Sequence, residues 1–245
     1  MNLRTGLIVQ ARSTSTRLPK KIFKNIYKNL TLLDFILNRL SKTKNINSYI
    51  VATTKKDFIS ISKIANKYNF ITEIGSEKNV LSRFYKAAKK NKLDIIVRIN
   101  SDSPFLSSFL IDKYLKIFKS KKVDYLTNIL IPTFPYGIGI EIFNFKSLQK
   151  SFSEATKTFE KEHVTPFIYN NSKKFKIYNV TLNKNLSNFR FVVDYKEDLN
   201  QLKKIILLSK KGLKINYIDA IKIIKNNSKL FRQFKKFKNQ FSIIK

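Results

Sequence analysis

Residues 10–21, QARSTSTRLPKK, place two Arg, two Lys and four hydroxyl side chains within twelve positions. Guanidinium forks, ammonium groups, hydroxyls and backbone amides are the groups that surround a polyphosphate. The segment is not a Gly-rich dinucleotide or Walker-type loop, because no Gly lies between positions 7 and 74. The plain alternative is a solvated basic loop. Carboxylates are scarce in the chain, 16 Asp+Glu against 49 Lys+Arg, so those at the ends of apolar runs stand out. Asp102 follows DIIVRI and Asp194 ends FRFVVD. Mg²⁺ is held through one or two carboxylates plus phosphate oxygens, which such a pair would supply. A turn residue before Pro104 is the other reading of Asp102. An N-cap is the other reading of Asp194. Asp198 reads as a first-turn helix residue.

Four further residues carry chemistry with two readings each. His163 is the one histidine of the chain. It is either a locally bonded helix-start residue or a contact to a sugar or carboxylate. Glu141 could accept bonds from sugar hydroxyls or satisfy a nearby Arg. Arg98 and Arg190 lie within apolar runs, where a buried Arg needs a partner. Either could hold a substrate carboxylate or pair with Glu141.

The elements that must position these groups follow from periodicity. TGLIVQA at 5–11, SYIVATT at 48–54, Phe70 to Ile74 and DIIVRI at 94–99 read as strands. Between them, 31–41, 57–68, 79–91 and about 107–120 have helical spacing. Thr31 is the expected N-cap of the first helix, with Asp34 in its first turn. Strand–helix alternation implies an α/β fold with parallel strands. In such a sheet ligands bind beyond the carboxyl ends of the strands, where the 10–21 loop lies. The second half is more mixed. Strands are expected at 139–145, 174–180 and 189–194, and helices at 146–155, 160–171, about 196–210 and 217–226. No internal repeat or linker is visible, so one domain is expected over 1–228.

Composition limits the chemistry further. The absence of cysteine excludes a disulfide scaffold, a thiolate metal site and cysteine catalysis. No apolar stretch approaches the roughly 20 residues that span a bilayer. The N-terminus lacks a signal-peptide pattern, and a reducing cytoplasm is the expected compartment. The net charge of +33 suggests polyanions at first sight. Yet only eight of the basic residues are Arg, and Gly and Pro number five each. Lys, Asn and Ile have A/T-rich codons, so drift in an A/T-rich genome explains most of the Lys. In such a chain Arg, Gly and Pro persist where geometry requires them.

These scarce residues carry a family resemblance. QARSTSTRLPKK resembles the opening Q-A-R-x-G-S-T-R-L-P-G-K of the sugar-acid cytidylyltransferases, with Thr14 and Lys20 in place of two glycines. The closest branch is the spore-coat-polysaccharide type. In the same order, Gly75-Ser76 with 80–85 resembles "GS…vLxRyyxA", and 96–104 resembles "ivRitgDcP". The stretch from Phe134 to Glu141 resembles "fPxGxxxE", Glu162 to Pro166 resembles "EHVTP", and Arg190 to Asp198 resembles "RltvDtpeDl" with Tyr195-Lys196 for Thr-Pro. The resemblance runs from about residue 5 to 205.

It implies a Rossmann-like nucleotide-diphospho-sugar transferase fold, a mixed, mostly parallel sheet flanked by helices. It implies that CTP and an acidic sugar give CMP-sugar and pyrophosphate, with Mg²⁺, in surface polysaccharide biosynthesis. Gln10, Ala11, Arg12, Ser15, Arg17 and Lys21 would then hold the nucleotide. Lys21, Arg12 and Asp102 would act in catalysis, Asp102 and Asp194 would hold the metal, and Glu141, His163 and Arg190 would face the sugar. Loss of the two glycines restricts the loop backbone, and a nucleotide-binding relative without turnover is one alternative. A nucleic-acid or polyanion-binding protein is another, although no helix-turn-helix, zinc or RNP-type signature is present. The tail at 229–245 is basic and amphipathic, suited to docking on the body or on a second subunit, and a homodimer is compatible with the sequence.

Overall fold

The computed structural model describes residues 3–229. The amphipathic tail from residue 230 onward therefore lies outside the described residues. The strands are β1 (Thr5–Gln10), β2 (Asn25–Tyr27), β3 (Leu30–Thr31), β4 (Ser48–Thr53), β5 (Ile71–Ile74), β6 (Ile95–Asn100), β7 (Tyr125–Thr127), β8 (Glu141–Asn144) and β9 (Ile177–Asn179). The helices are α1 (Leu32–Leu40), α2 (Phe58–Asn66), α3 (Val80–Lys90), α4 (Ser108–Lys121), α5 (Phe145–Glu154), α6 (Thr158–His163), α7 (Pro166–Asn170), α8 (Lys196–Ser209) and α9 (Tyr217–Asn226).

Seven strands form one sheet in the order β5-β4-β1-β6-β8-β7-β9, and β2 and β3 form a separate hairpin. β5, β4, β1 and β6 run parallel, as the alternation predicts. β8 runs antiparallel to both β6 and β7, and β9 returns parallel to β7. The reversal at β8 brings Glu141, its first residue, into register with Arg98 near the carboxyl end of β6.

Side-chain alternation divides the core between the two faces of the sheet. Leu7, Val9, Val51, Val97 and Ile99 pack with α1, α2, α4, α8 and α9. Ile8, Ile50, Ala52, Ile96 and Phe143 pack with α3, α5 and α7. Both strand faces are covered, which explains the near-continuous apolar runs of β1, β4 and β6. Thr31 caps α1 as expected: its side chain accepts from the Asp34 amide, and Asp34 returns a bond to the Thr31 amide.

Three expectations differ from the structure. Residues 189–194 are not a sheet strand. They pair with the loop 133–138 instead, through Tyr136 N–H to Phe189 O at 2.8 Å and Phe191 N–H to Tyr136 O at 2.7 Å. Phe191 and Val193 are fully buried, so the apolar run reports burial and not strand pairing. The expected helix 160–171 is two helices. Val164 breaks it at φ 73°, a costly angle for a β-branched residue, and Pro166 opens α7. The short β7 and the β2–β3 hairpin were not expected, being too brief to show a period.

Gly137 sits at φ 96° in the loop paired with 189–194, and a Cβ there would lie 2.6 Å from the Phe191 backbone. Gly137→Ala should lower stability by about 2–4 kcal/mol, from backbone strain plus steric overlap, read from urea denaturation midpoints.

Candidate active site at the carboxyl edge of the sheet

The loop after β1 is folded by its own backbone and by β4's neighbourhood. Ser13 N–H donates to the Asp57 carboxylate at 2.8 Å, and Lys20 N–H donates to Ser13 O at 3.0 Å. Leu18 is buried and anchors the loop to the core. Lys20 stands in the left-handed region at φ 55°, ψ 28°. A short 3₁₀ turn at Lys21–Phe23 follows, with Ile22 fully buried. The Ile22 anchor turns Lys21 toward the sheet edge.

There Lys21 joins two carboxylates that lie far apart in sequence. Its Nζ donates to Asp102 Oδ2 at 2.9 Å, to Asp194 Oδ1 at 3.1 Å and to Val193 O at 2.7 Å. Arg17 reaches the same Asp194 oxygen at 2.8 Å and lies over the Tyr195 ring. Arg190 reaches Asp194 Oδ2 at 3.0 Å and grips Asp198 through two bonds. Asp198 in turn accepts from the Asp194 and Tyr195 amides, which fixes the start of α8. Burial alone would raise the Asp194 carboxyl, but Lys21, Arg17 and Arg190 outweigh it and hold it below the ordinary carboxylate value. Burial would lower the Lys21 ammonium, and Asp102 and Asp194 outweigh that and raise it.

A second buried network lines the larger of two cavities at this edge, together with Asp102 and Asp194. Arg98 donates to Glu141, and its other arm reaches Gln10 Oε1 at 3.1 Å. Glu141 also accepts from the Tyr125 hydroxyl at 2.7 Å and from the Thr165 hydroxyl. Its oxygens are therefore committed within the protein. Of the two readings of Glu141, the structure carries the partner of an Arg. Arg190 is likewise committed to Asp194 and Asp198.

Two cavities meet at this edge, sharing Gln10, Arg17, Asn100, Asp102, His163 and Asp194 as a common wall. The first, of about 410 Å³, lies under the basic loop and is lined by Ala11, Arg12, Ser15, Lys21 and Arg83 among others. The second, of about 550 Å³, extends toward Asn128, Phe134, Gly137 and Tyr169. His163 ends α6, rather than starting a helix, and packs against Phe159. Burial is the main reason that its imidazole is pushed toward the neutral form. The Val164 break brings Thr165 onto Glu141 directly after it.

Arg83 had no role assigned from sequence. It is 2% exposed, lines the cavity under the loop, and its Nε and Nη1 have no partner among the described residues. Burial first, then the neighbouring Arg12 and Arg98, lowers it to about 10. A buried guanidinium with unused donors facing a cavity is suited to an acceptor-rich ligand. Its signal in the sequence was the scarcity of Arg.

The carboxylate pair also fits a divalent ion. Asp102 Oδ2 and Asp194 Oδ1 already converge on one cationic nitrogen, and two carboxylates suffice where phosphates and water complete the shell. No cluster of three or more His, Cys, Asp or Glu suited to a metal occurs among the described residues. Among the same residues no helix is long and apolar enough to cross a membrane.

Residues 7–237 match the sequence profile of the cytidylyltransferase family. The chain is 38% identical over 174 residues to an uncharacterised protein of Methanocaldococcus jannaschii, covering 70% of this chain and 69% of that one. It is 31% identical over 206 residues to the spore coat polysaccharide biosynthesis protein SpsF of Bacillus subtilis, covering 81% and 84%. A cytidylyltransferase from Leptospira borgpetersenii superposes with a TM-score of 0.88 at 32% identity, over 93% of this chain and 96% of that one. CMP:2-keto-3-deoxy-manno-octonic acid synthetase, solved in complex with CTP, superposes with a TM-score of 0.64 at 13% identity, over 84% and 99%, which is a likeness of fold.

The left-handed angle at Lys20 explains why the family pattern has Gly there: the loop requires that conformation and this chain adopts it with a Lys. Lys20→Gly should therefore raise stability by about 0.5–1 kcal/mol in thermal or urea unfolding, since relief of the left-handed strain exceeds the added chain entropy.

Proposed function

The chain belongs to the cytidylyltransferase family, and from that premise we propose that it activates an acidic sugar with CTP, giving CMP-sugar and pyrophosphate. The observation that carries the reading is the contact of Lys21 with Asp102 and Asp194, the two carboxylates on the wall shared by the two cavities. Nucleotide would occupy the cavity under the basic loop, and sugar the larger cavity beside it. The α-phosphorus would then lie at the shared wall.

The residues divide the work by charge. Arg12, Arg17 and Arg83 would bind the triphosphate, with loop amides around Ser15 completing the cradle. Lys21 would follow the negative charge that develops at the α-phosphate in an in-line displacement. Asp102 and Asp194 would hold Mg²⁺ together with phosphate oxygens, and that ion supplies charge neutralisation at phosphorus and acidifies the attacking hydroxyl. His163, held neutral, would sit between nucleotide and sugar as a hydrogen-bonding group. The Arg98–Glu141–Tyr125–Thr165 network would act through position, fixing Gln10 and the far wall. Arg190 would act through Asp194. The family resemblance supports an acidic sugar, and the name of the relative SpsF, a spore coat polysaccharide biosynthesis protein, supports a role in surface polysaccharide synthesis.

Purified protein should release pyrophosphate from CTP only when Mg²⁺ and a suitable sugar acid are both present, in a coupled pyrophosphate assay. Asp102→Ala should lower kcat by about 100-fold or more with the fold retained. Full activity in that variant would remove Asp102 from the metal and the chemistry.

A further inference from the structure

We propose that the Lys21 ammonium is a resident stand-in for the divalent cation, closing the Asp102–Asp194 pair against free metal until a triphosphate draws Lys21 away. The proposal rests on the reading that Asp102 and Asp194 form the metal-binding pair, and it adds an order to their use.

An ammonium has three donors. All three of Lys21 have acceptors here: Asp102 Oδ2 at 2.9 Å, Asp194 Oδ1 at 3.1 Å and Val193 O at 2.7 Å. The side chain is only 12% exposed. It fills the space between the two carboxylate oxygens that a small cation would need, since Mg²⁺ sits about 2.0–2.1 Å from each of its ligands. Asp194 is occupied further. Its Oδ1 also holds Arg17 at 2.8 Å, and its Oδ2 holds Arg190. A metal entering alone would have to expel Lys21 and leave a largely buried ammonium beside a second cation, which is strongly unfavourable.

A nucleotide removes that obstacle. Lys21 lines the same cavity as Arg12, Thr14 and Arg83, so phosphate oxygens there would offer new acceptors to the same side chain. The ammonium could then turn from carboxylate to phosphate, and Arg17, 41% exposed, could follow it. The vacated oxygens of Asp102 and Asp194 would become ligands at the moment the phosphates supply the others. Metal would therefore enter with or after the nucleotide, not before it. Lys21 would thus act twice, first as a guard of the carboxylate pair and then as a phosphate ligand.

The test is a titration of Mn²⁺ into the full-length protein, read as free Mn²⁺ by electron paramagnetic resonance, with and without α,β-methylene-CTP. Wild type should bind Mn²⁺ weakly without the analogue and stoichiometrically with it. Lys21→Met should bind one Mn²⁺ without nucleotide about tenfold tighter than wild type or more, because the competing charge is gone. Lys21→Arg should stay as weak as wild type. Circular dichroism melts establish that each variant folds, and Lys21→Gln replaces the Met variant if that one does not. Wild type binding Mn²⁺ alone as tightly as Lys21→Met, or a folded Lys21→Met or Lys21→Gln with no gain, would overturn the stand-in. Absence of Mn²⁺ binding in every protein even with the analogue would instead overturn the metal-pair reading, and the stand-in with it.

Discussion

The site depends on one buried carboxylate held by three cations. Asp194 is almost fully inaccessible, and a lone charge in that position would cost several kcal/mol. Lys21, Arg17 and Arg190 remove that cost, and each comes from a different place: the turn after the basic loop, the loop itself, and the segment paired with Tyr136. The ion group forms only when β1's loop, the segment after β6 and residues 189–198 have all docked. Tertiary folding and site assembly are therefore one event. The backbone bond from Val193 N–H to Asp102 O, 2.9 Å, ties the two carboxylate-bearing segments directly.

The neighbouring network obeys the same constraint with different residues. Arg98 needs a partner because β6 is buried on both faces, and the antiparallel β8 delivers Glu141 to it in register. Tyr125 and Thr165 occupy the remaining acceptor capacity of Glu141. The strained Val164 makes sense in this setting. It ends α6 at His163 and swings Thr165 onto Glu141, so that the cavity wall and the network share one hinge. Backbone strain at such a position is held by the packing around it.

Much of this was legible in the sequence where the signal is local. Apolar runs bounded by polar residues located β1, β4 and β6, and the loop between β1 and its following turn was readable from its Arg, Lys and hydroxyl content. Asp102 was findable because acidic residues are few and it follows a strand. What was not legible depends on non-local partners. FRFVVD has the composition of a strand, yet its partner is the loop at 133–138, and burial alone cannot distinguish the two. For Glu141 and Arg190 the sequence leaves a sugar contact and an ion-pair partner both open, because it does not reveal that Arg98 and Tyr125 hold the one and Asp194 and Asp198 the other. Arg83 is the opposite case: that its Nε and Nη1 have no hydrogen-bond partner among the described residues is visible only in three dimensions. Lys20 shows a third limit. A missing glycine suggests an altered loop, whereas the chain takes the left-handed angle with a Lys. The +33 charge, the most conspicuous number in the composition, contributes to the site through a handful of cations.

The most direct measurement is a crystal structure of the protein with Mn²⁺ and α,β-methylene-CTP, with manganese located by its anomalous scattering. One Mn²⁺ should be joined to Asp102, Asp194 and a phosphate oxygen, with Lys21 moved onto the phosphates. Mn²⁺ held by phosphate oxygens alone, with Lys21 still bridging the two carboxylates, would contradict that assignment.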